Sequence, residues 1–507
     1  RGDDPRVYES NFRLTRLWTI GVHSKEAKQQ TGGAEMTVRG KPEWSPDGRH
    51  IAFQAAPTPL IRDDRDDIYV LSLETGRHET VTSNLGPDRS PAWSPDGSKI
   101  AFFAEPISGP PNADGIPGQV VRNAHLMLYD LTTKDIRDLS RPDFDLSVGS
   151  PAWTVDSKRI LFNTGERVHR GMFAYELDSG RFVQLTKGKN VSFGSMSKDT
   201  TKTAFVIDSS SMPPEIYVSG LDFSMPTKLT RVNPQVDELS LGATETVTWK
   251  SDDFEIEGLL LKPVGYEQGK RYPLLVVVHG GPTGAYIDTF MMSRGDAGQH
   301  WAGQGWAVLY PNPRGSTNYG EEFMRANILD WGGGDYRDII KGVDAVIERG
   351  IADPEKLAVM GWSYGGYMTC WVVSQTTRFK AAMMGAGLSN LPSMYGTNDI
   401  PNYLSAFFDG NLSKKTWSYY KDRSGLTYAD QVTTPVLILH GGNDQRVPIG
   451  QPMEFFRALK DRGTTVELVF YPREGHGLRE YYHRLDRMKR QYEWITRYTL
   501  KETAATN

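Results

Sequence analysis

The stretch KLAVMGWSYGGYMTC, from Lys356 to Cys370, places one serine, Ser363, between an apolar run and a second apolar segment. The run before the serine is typical of a buried strand, and the segment after it is typical of a helix. Gly361, Ser363 and Gly365 form the pattern G-x-S-x-G, which is informative when it joins a strand to a helix. The stretch therefore predicts a sharp turn that holds Ser363 out at the carboxyl edge of a sheet.

Around this stretch, strand-like runs alternate with longer helical segments through the second half of the chain. The strand-like runs cover residues 272–281, 306–312, 356–361, 380–387, 435–442 and 466–472. Helices are predicted to begin at Tyr336, Tyr364 and Gly450, and a last one runs from Arg479 to Lys501 with Leu485, Met488, Tyr492 and Ile495 on its docking face. Fully apolar strands between helices indicate a parallel sheet covered on both faces. We predict an α/β-hydrolase domain, doubly wound and mostly parallel, over residues 236–507.

A serine nucleophile needs a base, and the base needs a carboxylate that orients it. His476 lies in REGHGL, directly after the strand-like run VELVFYP, and Asp444 lies in HGGNDQRVP, directly after PVLILHGG. The order Ser363, Asp444, His476 along the chain is the order that this fold requires. We predict that these three residues form a catalytic triad.

Other histidines and acids suit these roles less well. His279 and His440 lie at predicted strand ends, where a buried structural hydrogen bond is the better interpretation. Asp335 and Asp338 follow a glycine run at the start of a predicted helix, which favours capping. Three further histidines have no strand-end setting in the predicted sheet, namely His169, His300 and His483.

Acyl transfer also needs two hydrogen-bond donors for the oxyanion of the tetrahedral intermediate. The first predicted donor is the backbone N–H of Tyr364, which directly follows the nucleophile. The second is predicted in the glycine-rich loop after VVVHGGP, where Gly281 is favoured and Gly280 is the alternative.

The first half of the chain repeats the pattern seen in PEWSPDGRHIAF, a polar turn followed by a short apolar strand. Its aligned positions, which we predict to lie in the cores of the repeats, are 49, 60 and 43 residues apart: Trp44, Trp93, Trp153 and Met196. Each copy is followed by further short strands, and this period is typical of β-propeller blades. Counting a partial unit at Glu215, we predict four to five blades over residues 1–235.

The first repeat begins almost at residue 1, so we expect a propeller that is N-terminally incomplete on this chain. Open sheet edges are normally paired or covered. We therefore expect either an N-terminal fragment or a partner subunit, which includes a homo-oligomer, to complete it. The aspartates in the polar turns are interpreted as turn residues that bond their own backbone, and no metal site is predicted: Asp47, Asp96, Asp156 and Asp199.

Composition excludes several classes of function. The net charge is −4 and the isoelectric point is near 6.3, which gives no electrostatic footprint for nucleic acid. No apolar run approaches the roughly 20 residues that a membrane helix needs. Cys370 is the only cysteine, so an internal disulfide cannot form. We predict no cofactor and no membrane partner, and the compartment stays open between cytoplasm and periplasm.

Several motifs resemble those of the prolyl oligopeptidase family of serine peptidases. They are GWSYGGYM, HGGP, NPRGSTNYG, HGGNDQRVP and EGHG, together with the WSPDG repeats. The resemblance implies a propeller that caps an α/β-hydrolase and admits only short peptides. The HGGP and DQRVP forms look most like the acylaminoacyl-peptidase and dipeptidyl peptidase 5 branch. His279 stands where other members carry a tyrosine that serves the oxyanion, which leaves backbone donors here.

By this resemblance, Arg446 binds a substrate carbonyl beside the catalytic pocket. Trp362, directly before Ser363, is a second substrate-binding candidate. The favoured function is a serine peptidase that releases an acylated amino acid or a dipeptide from short peptides. Two alternatives stay open: a carboxylesterase on the same fold, and a propeller binding protein with an inactive hydrolase half.

Overall fold

The computed structural model of the chain describes residues 13–33, 36–60, 65–83, 86–105, 121–290 and 295–500. The first half of this described part consists of one two-stranded hairpin followed by four four-stranded antiparallel sheets. The hairpin pairs β1 (Trp18–Ile20) with β2 (Ala27–Gln29). The four sheets follow in chain order: β3 (Thr37–Trp44), β4 (His50–Ala56), β5 (Asp67–Ser72) and β6 (His78–Thr80); β7 (Asp88–Trp93), β8 (Lys99–Ala104), β9 (His125–Asp130) and β10 (Ile136–Asp138); β11 (Ala152–Trp153), β12 (Arg159–Glu166), β13 (His169–Glu176) and β14 (Arg181–Gln184); β15 (Asn190–Met196), β16 (Thr203–Ser209), β17 (Met212–Ser219) and β18 (Thr227–Lys228).

Each repeated polar turn joins the first and second strands of one sheet. In the first sheet, Asp47 accepts a hydrogen bond from the Ser45 hydroxyl at 2.5 Å and from the Arg49 backbone N–H at 2.9 Å. The other three turn aspartates, Asp96, Asp156 and Asp199, make the same pair of bonds with the residues two before and two after them. In all four turns, the aspartate therefore accepts hydrogen bonds from its own turn, as predicted.

Successive sheets pack face to face through apolar side chains. Trp93 belongs to the same buried apolar cluster as Ala52 and Ile68 of the preceding sheet, and the Trp153 indole N–H donates to the Ala92 carbonyl of its own preceding sheet at 3.0 Å. The repeat pattern predicts Trp44 in a core as well, but 54% of its side chain is exposed. The reason is that the described residues place only the β1–β2 hairpin, and no four-stranded sheet, before its own sheet.

The predicted fifth unit is wrong. The run that begins at Glu215 lies in β17, the third strand of the fourth sheet, and it pairs with β16 and β18. The run EIYVSGL has the same form as DIYVLSL, which is the third strand of the first sheet, so it completes the fourth unit and does not begin a fifth.

The second half of the chain forms one eight-stranded sheet. Its strands are β19 (Thr244–Ser251), β20 (Phe254–Leu261), β21 (Tyr272–Val278), β22 (Ala307–Asn312), β23 (Ala352–Trp362), β24 (Ala381–Gly385), β25 (Val436–Gly441) and β26 (Val466–Tyr471), in the spatial order β19-β20-β22-β21-β23-β24-β25-β26. The first two strands are antiparallel, and the strands from β22 to β26 are parallel. All six predicted strands of this region are present.

Helices cover both faces of this sheet, as its fully buried strands require. They are α1 (Gly298–Gly303), α2 (Glu321–Arg325), α3 (Gly334–Glu348), α4 (Tyr364–Gln375), α5 (Leu391–Thr397), α6 (Pro401–Phe407), α7 (Trp417–Lys421), α8 (Gly450–Asp461) and α9 (Tyr481–Thr499), with 3₁₀ turns at Pro234–Glu238 and Gly425–Gln431. Within the described ranges, no helix combines the length and apolar character needed to span a bilayer.

The docking face of α9 differs from the prediction. Ile495 is buried as expected, but half of the Leu485 side chain is exposed. The buried side chains of this helix lie nearer its carboxyl end and include Gln491 and Trp494. The amino-terminal end of α9 is more exposed, with Tyr481 at 71% and Tyr482 at 78%.

Polar contacts join the four-stranded sheets to the eight-stranded sheet. Arg167 donates from Nε to Glu257 at 3.2 Å and stacks its guanidinium on the ring of Tyr319. The carboxylate of Asp145 accepts the backbone N–H of Glu321 at 3.0 Å. These contacts place the second and third four-stranded sheets over the carboxyl edge of the parallel strands.

Candidate active site

Ser363 occupies the turn between β23 and α4 in a strained conformation, with φ of +64° and ψ of −122°. Positive φ is costly for a residue with a side chain, so the surroundings must hold it there. The flanking glycines permit the turn, because a Cβ on Gly361 would collide with the Gly365 backbone and one on Gly365 would collide with the Val278 carbonyl. The predicted sharp turn is therefore a consequence of close backbone approach on both sides of the serine.

The structure brings the three predicted triad residues into one hydrogen-bonded chain. His476 Nε2 lies 2.9 Å from Ser363 Oγ, and His476 Nδ1 lies 2.8 Å from Asp444 Oδ2. An ionised carboxylate only accepts hydrogen bonds, so Nδ1 carries the proton and the lone pair of Nε2 faces the serine hydroxyl. This is the arrangement in which an imidazole can take a proton from a serine.

The carboxylate of Asp444 is fixed by its own loop. Its Oδ1 accepts the backbone N–H groups of Arg446 and Val447, each at 2.9 Å, and the residue is buried. These two bonds leave Oδ2 directed at His476. The loop after β25 thereby orients the acid through its own backbone N–H groups.

Glu474, which sequence reasoning missed, fixes the loop that carries the histidine. It is buried, and its carboxylate accepts the backbone N–H groups of Arg479 and Glu480 at 2.9 and 2.8 Å. His483 Nδ1 lies 2.9 Å from the same carboxylate. The only signal in the sequence is an acid two residues before the histidine of EGHG.

Glu474, Glu480 and His483 also form the one group of possible cation ligands found in the described part of the chain. Their donor atoms are already engaged, because Glu474 accepts backbone N–H groups and Glu480 forms a bidentate pair with Arg473 at 2.7 and 2.8 Å. These hydrogen bonds hold the loop between β26 and α9 in place and account for the cluster.

Trp362 lies in a different place from the predicted substrate contact. Its indole N–H donates to the His476 carbonyl at 2.7 Å, and the Arg487 guanidinium stacks 4.2 Å above its ring. The side chain does not line the cavity at Ser363 but lies behind the turn, beside Gly361 and Met383. The alternation of side chains along β23 directs it there, so Trp362 positions the histidine loop instead.

Both predicted oxyanion donors, Gly281 and Tyr364, line the same cavity as Ser363 and His476. The backbone N–H of Tyr364 is in the first turn of α4, where helical amides have no intrahelical partner and the helix field favours negative charge. Gly281 has φ of +135°, a conformation that favours glycine. Gly280, the alternative donor, packs against the turn, since a Cβ there would lie 3.4 Å from Ser363 Cβ.

His279 and His440 make the buried structural contacts that the sequence suggests. His279 Nε2 lies 2.9 Å from Ser316 Oγ, and its Nδ1 lies 2.8 Å from the Gly280 carbonyl. His440 Nε2 lies 2.7 Å from the Val447 carbonyl. Burial lowers the pKa of His440, so a neutral imidazole is favoured there.

Asp335 and Asp338 are buried ion and hydrogen-bond partners, and Asp335 Oδ1 also accepts the backbone N–H of Tyr336 in the first turn of α3, at 2.7 Å. The residue at the cap position of α3 is Gly333. Asp335 accepts the hydroxyl of Tyr364, and burial raises its pKa to about 7. Asp338 accepts Arg314 Nε at 2.9 Å. Tertiary partners that are distant in sequence decide the role of both acids.

The cavity beside Ser363 has a volume of about 430 Å³. Much of its wall is apolar, with Trp331, Leu388, Met394, Leu404 and Val447 among the lining residues. Among the residues that the structure describes, the charged groups that line it are two arginines, Arg89 and Arg446. Arg446 donates from Nε to Asp399 at 2.6 Å, which holds its guanidinium at the cavity wall.

Comparison with known proteins finds one matching family and several related sequences. The profile of the prolyl oligopeptidase family matches residues 295–502. An uncharacterized peptidase of Bacillus subtilis, YuxL, is 35% identical over 350 residues, which are 67% of this chain and 51% of the relative. The acylamino-acid-releasing enzyme of Rattus norvegicus is 29% identical over 353 residues, which are 65% of this chain and 47% of that enzyme. The chain thus spans about half the length of these two relatives.

Among solved structures, an acylaminoacyl peptidase of Pyrococcus horikoshii superposes with a TM-score of 0.81. Its sequence identity is 23%, and the match covers 100% of this chain and 80% of that chain. This likeness shows a common fold, and the sequence matches show the family relationship. The chain belongs to the prolyl oligopeptidase family.

Proposed function

We propose that the chain is a serine peptidase that cleaves short peptides through an acyl-enzyme on Ser363 and releases an acylated amino acid or a dipeptide. The observation that carries the proposal is the continuous hydrogen-bonded chain from Ser363 Oγ through His476 to Asp444. The names of the relatives agree with it, since one is a peptidase and the other releases acylamino acids.

In the acylation step, Ser363 Oγ attacks the carbonyl carbon of the scissile bond while its proton passes to His476 Nε2. The oxyanion that forms accepts hydrogen bonds from the backbone N–H groups of Tyr364 and Gly281. Asp444 keeps the protonated imidazole oriented. The C–N bond then breaks, and His476 returns the proton to the leaving amine.

In the deacylation step, a water molecule attacks the acyl-enzyme and gives a proton to His476. The second tetrahedral intermediate uses the same two backbone donors. Its collapse breaks the bond to Ser363 Oγ, which recovers the proton from the imidazole. The acid product leaves, and the triad is restored for the next cycle.

We also propose that residues 1–235 form a β-propeller domain and residues 236–507 form the hydrolase domain. Four consecutive four-stranded antiparallel sheets, packed face to face in chain order, support the propeller. The last strand of the fourth sheet ends at Lys228 and β19 begins at Thr244, which supports a boundary near residue 235. Such a domain above the cavity would limit the size of the peptides that enter.

Two measurements test the proposed function. A fluorophosphonate probe should label Ser363 in the intact chain, and Ser363→Ala should abolish the labelling. A panel of chromogenic amides with one shared leaving group should show hydrolysis of N-acyl aminoacyl or dipeptidyl substrates. Folded protein that neither reacts with the probe nor cleaves any amide of the panel would contradict the proposal.

A further inference from the structure

Arg89 connects the four-stranded sheets to the cavity at Ser363. Among the residues that the structure describes, it is the only lining residue of this cavity that precedes Gly281. It lies on β7, the first strand of the second sheet, and 29% of its side chain is exposed. One charged side chain from the first half of the chain therefore reaches the space in which a substrate on Ser363 would lie.

A bulge in β7 directs this side chain. The strand pairs Arg89 with Phe103, but the pairing resumes only at Ala92 opposite Ala101. Ser90, within the bulge, has φ of +54°. Bulges turn a strand locally and re-aim its side chains, and they are common beside active sites.

A buried carboxylate holds the guanidinium in place. Asp66 is 1% exposed, and its Oδ2 accepts Arg89 Nε at 3.2 Å. Arg39 also binds Asp66, with Nη1 3.3 Å from Oδ1, but its Nη2 donates to the backbone carbonyls of Thr58 and Leu60, after β4, at 2.9 Å. Arg39 does not line the cavity, so the two arginines share one carboxylate but face different surroundings.

The charge of the cavity wall indicates which substrates it favours. Its described lining includes two guanidinium groups, Arg89 and Arg446, and no carboxylate. The carboxylate of Glu105 lies 3.9 Å from Arg89 Nη1, but it lines a neighbouring cavity. A guanidinium donates to carbonyl and carboxylate oxygens and repels an ammonium group.

We infer that Arg89 is a specificity-determining residue that binds an oxygen of the substrate's acyl part, and that it favours blocked amino ends over free ammonium ends. The inference rests on the proposed function, because the acyl part occupies this cavity while it is attached to Ser363. The fixed guanidinium would donate to a carbonyl oxygen of a neutral blocking group and bind a carboxylate more tightly.

The test uses three chromogenic substrates that share the amino acid and the leaving group and differ at the amino end, which is succinylated, acetylated or free. With wild-type protein, we expect kcat/KM to be highest for the succinyl substrate and lowest for the free amine. Arg89→Gln should lower kcat/KM about tenfold or more for the succinyl substrate and less for the acetyl one, and it should raise kcat/KM for the free amine, whose ammonium group the guanidinium no longer repels. Arg89→Lys should restore part of the preference for succinyl over free amine.

Arg39→Gln is the matched control, because it removes the other guanidinium from Asp66 without changing the cavity wall. We expect it to leave the order and the ratios of the three substrates unchanged. Equal losses for all three substrates in Arg89→Gln, the same change of ratios in Arg39→Gln, or a wild-type preference for the free amine would overturn the inference while the peptidase assignment stands. Hydrolysis of none of the three by wild-type protein, together with failure of fluorophosphonate labelling, would instead remove the proposed function and the inference with it.

Discussion

His476 lies between Ser363 and Asp444, with Nε2 2.9 Å from the serine Oγ and Nδ1 2.8 Å from the aspartate Oδ2. The three residues follow three different parallel strands, β23, β25 and β26, whose carboxyl ends meet at one edge of the sheet. Register across those strands sets both distances. The site therefore depends on sheet packing as much as on the local motifs.

Replacing the nucleophile should abolish turnover without loss of the fold. Ser363→Ala removes the attacking oxygen, and loss of a triad nucleophile costs on the order of a millionfold in kcat. The thermal unfolding midpoint should fall little or even rise, because alanine removes no buried hydrogen bond that the core needs. Amide hydrolysis and thermal unfolding measured on the same sample check both statements. Activity within about tenfold of wild type would exclude Ser363 as the nucleophile.

Asp444→Asn should keep the positions of the three triad side chains but move the ring proton of His476 to the wrong nitrogen. The asparagine amide can donate to Nδ1 of His476, which then places the ring proton on Nε2, facing the serine. Replacing the triad aspartate of a serine protease by asparagine lowers kcat by about 10⁴-fold for this reason, and we expect a loss of that order here. Steady-state hydrolysis of the best amide substrate measures it. An asparagine variant with nearly unchanged kcat would mean that Asp444 does not orient the base.

Local patterns in the sequence predict the strands and the order of the triad because both depend on short segments. An apolar run of about 4–8 residues followed by glycine carries its own information about a strand end. Ser363, Asp444 and His476 can each be placed at such an end before any contact is known. The conformation of Ser363 also follows from its two glycine neighbours.

Pairings between distant segments could not be predicted in this way. Tyr364 and Asp335 are 29 residues apart in sequence, and Glu474 braces its loop through His483 on the next helix. Burial is mispredicted where a neighbouring element decides it, as for the exposed Trp44. Trp362 faces away from the cavity because of strand alternation, which the catalytic motif does not encode.

Asp335 should make stability depend on pH. Burial raises its pKa from 3.8 to about 7, so between these values the folded chain keeps a proton that the unfolded chain has lost. The contribution of this group to the free energy of unfolding therefore falls as pH rises through that window. Asp335→Asn removes the titration, so the denaturation midpoint of the variant, relative to wild type, should rise between pH 5 and 8.

The control is Asp344→Asn on the same helix, where 44% of the carboxylate side chain is exposed and Arg378 is its partner. Its midpoint relative to wild type should change little over the same pH range. A constant difference between Asp335→Asn and wild type from pH 5 to 8 would mean that Asp335 is not protonated in the folded state.

Replacing Arg314 should lower the stability of the fold strongly. Its guanidinium is buried, donates to the fully buried Asp338 through Nε at 2.9 Å and Nη2 at 2.6 Å, and lies 5.2 Å from the ring of Phe254. Arg314→Met keeps much of the volume but leaves the Asp338 carboxylate without its cation. Loss of one partner from a buried pair costs about 3–5 kcal/mol.

Arg337→Met is the matched comparison, because Arg314 and Arg337 each bind the exposed acid Asp252 at 2.9 Å but Arg337 is itself 48% exposed. Exposed pairs contribute about 0–1 kcal/mol, so its denaturation midpoint should stay close to that of wild type. The double variant Arg314→Met/Asp338→Leu should recover much of the stability lost by Arg314→Met, since no unpaired charge is then buried. Chemical denaturation of the four proteins measures these differences. Equal destabilisation by Arg314→Met and Arg337→Met would show that burial of the Arg314–Asp338 pair is not what makes the loss large.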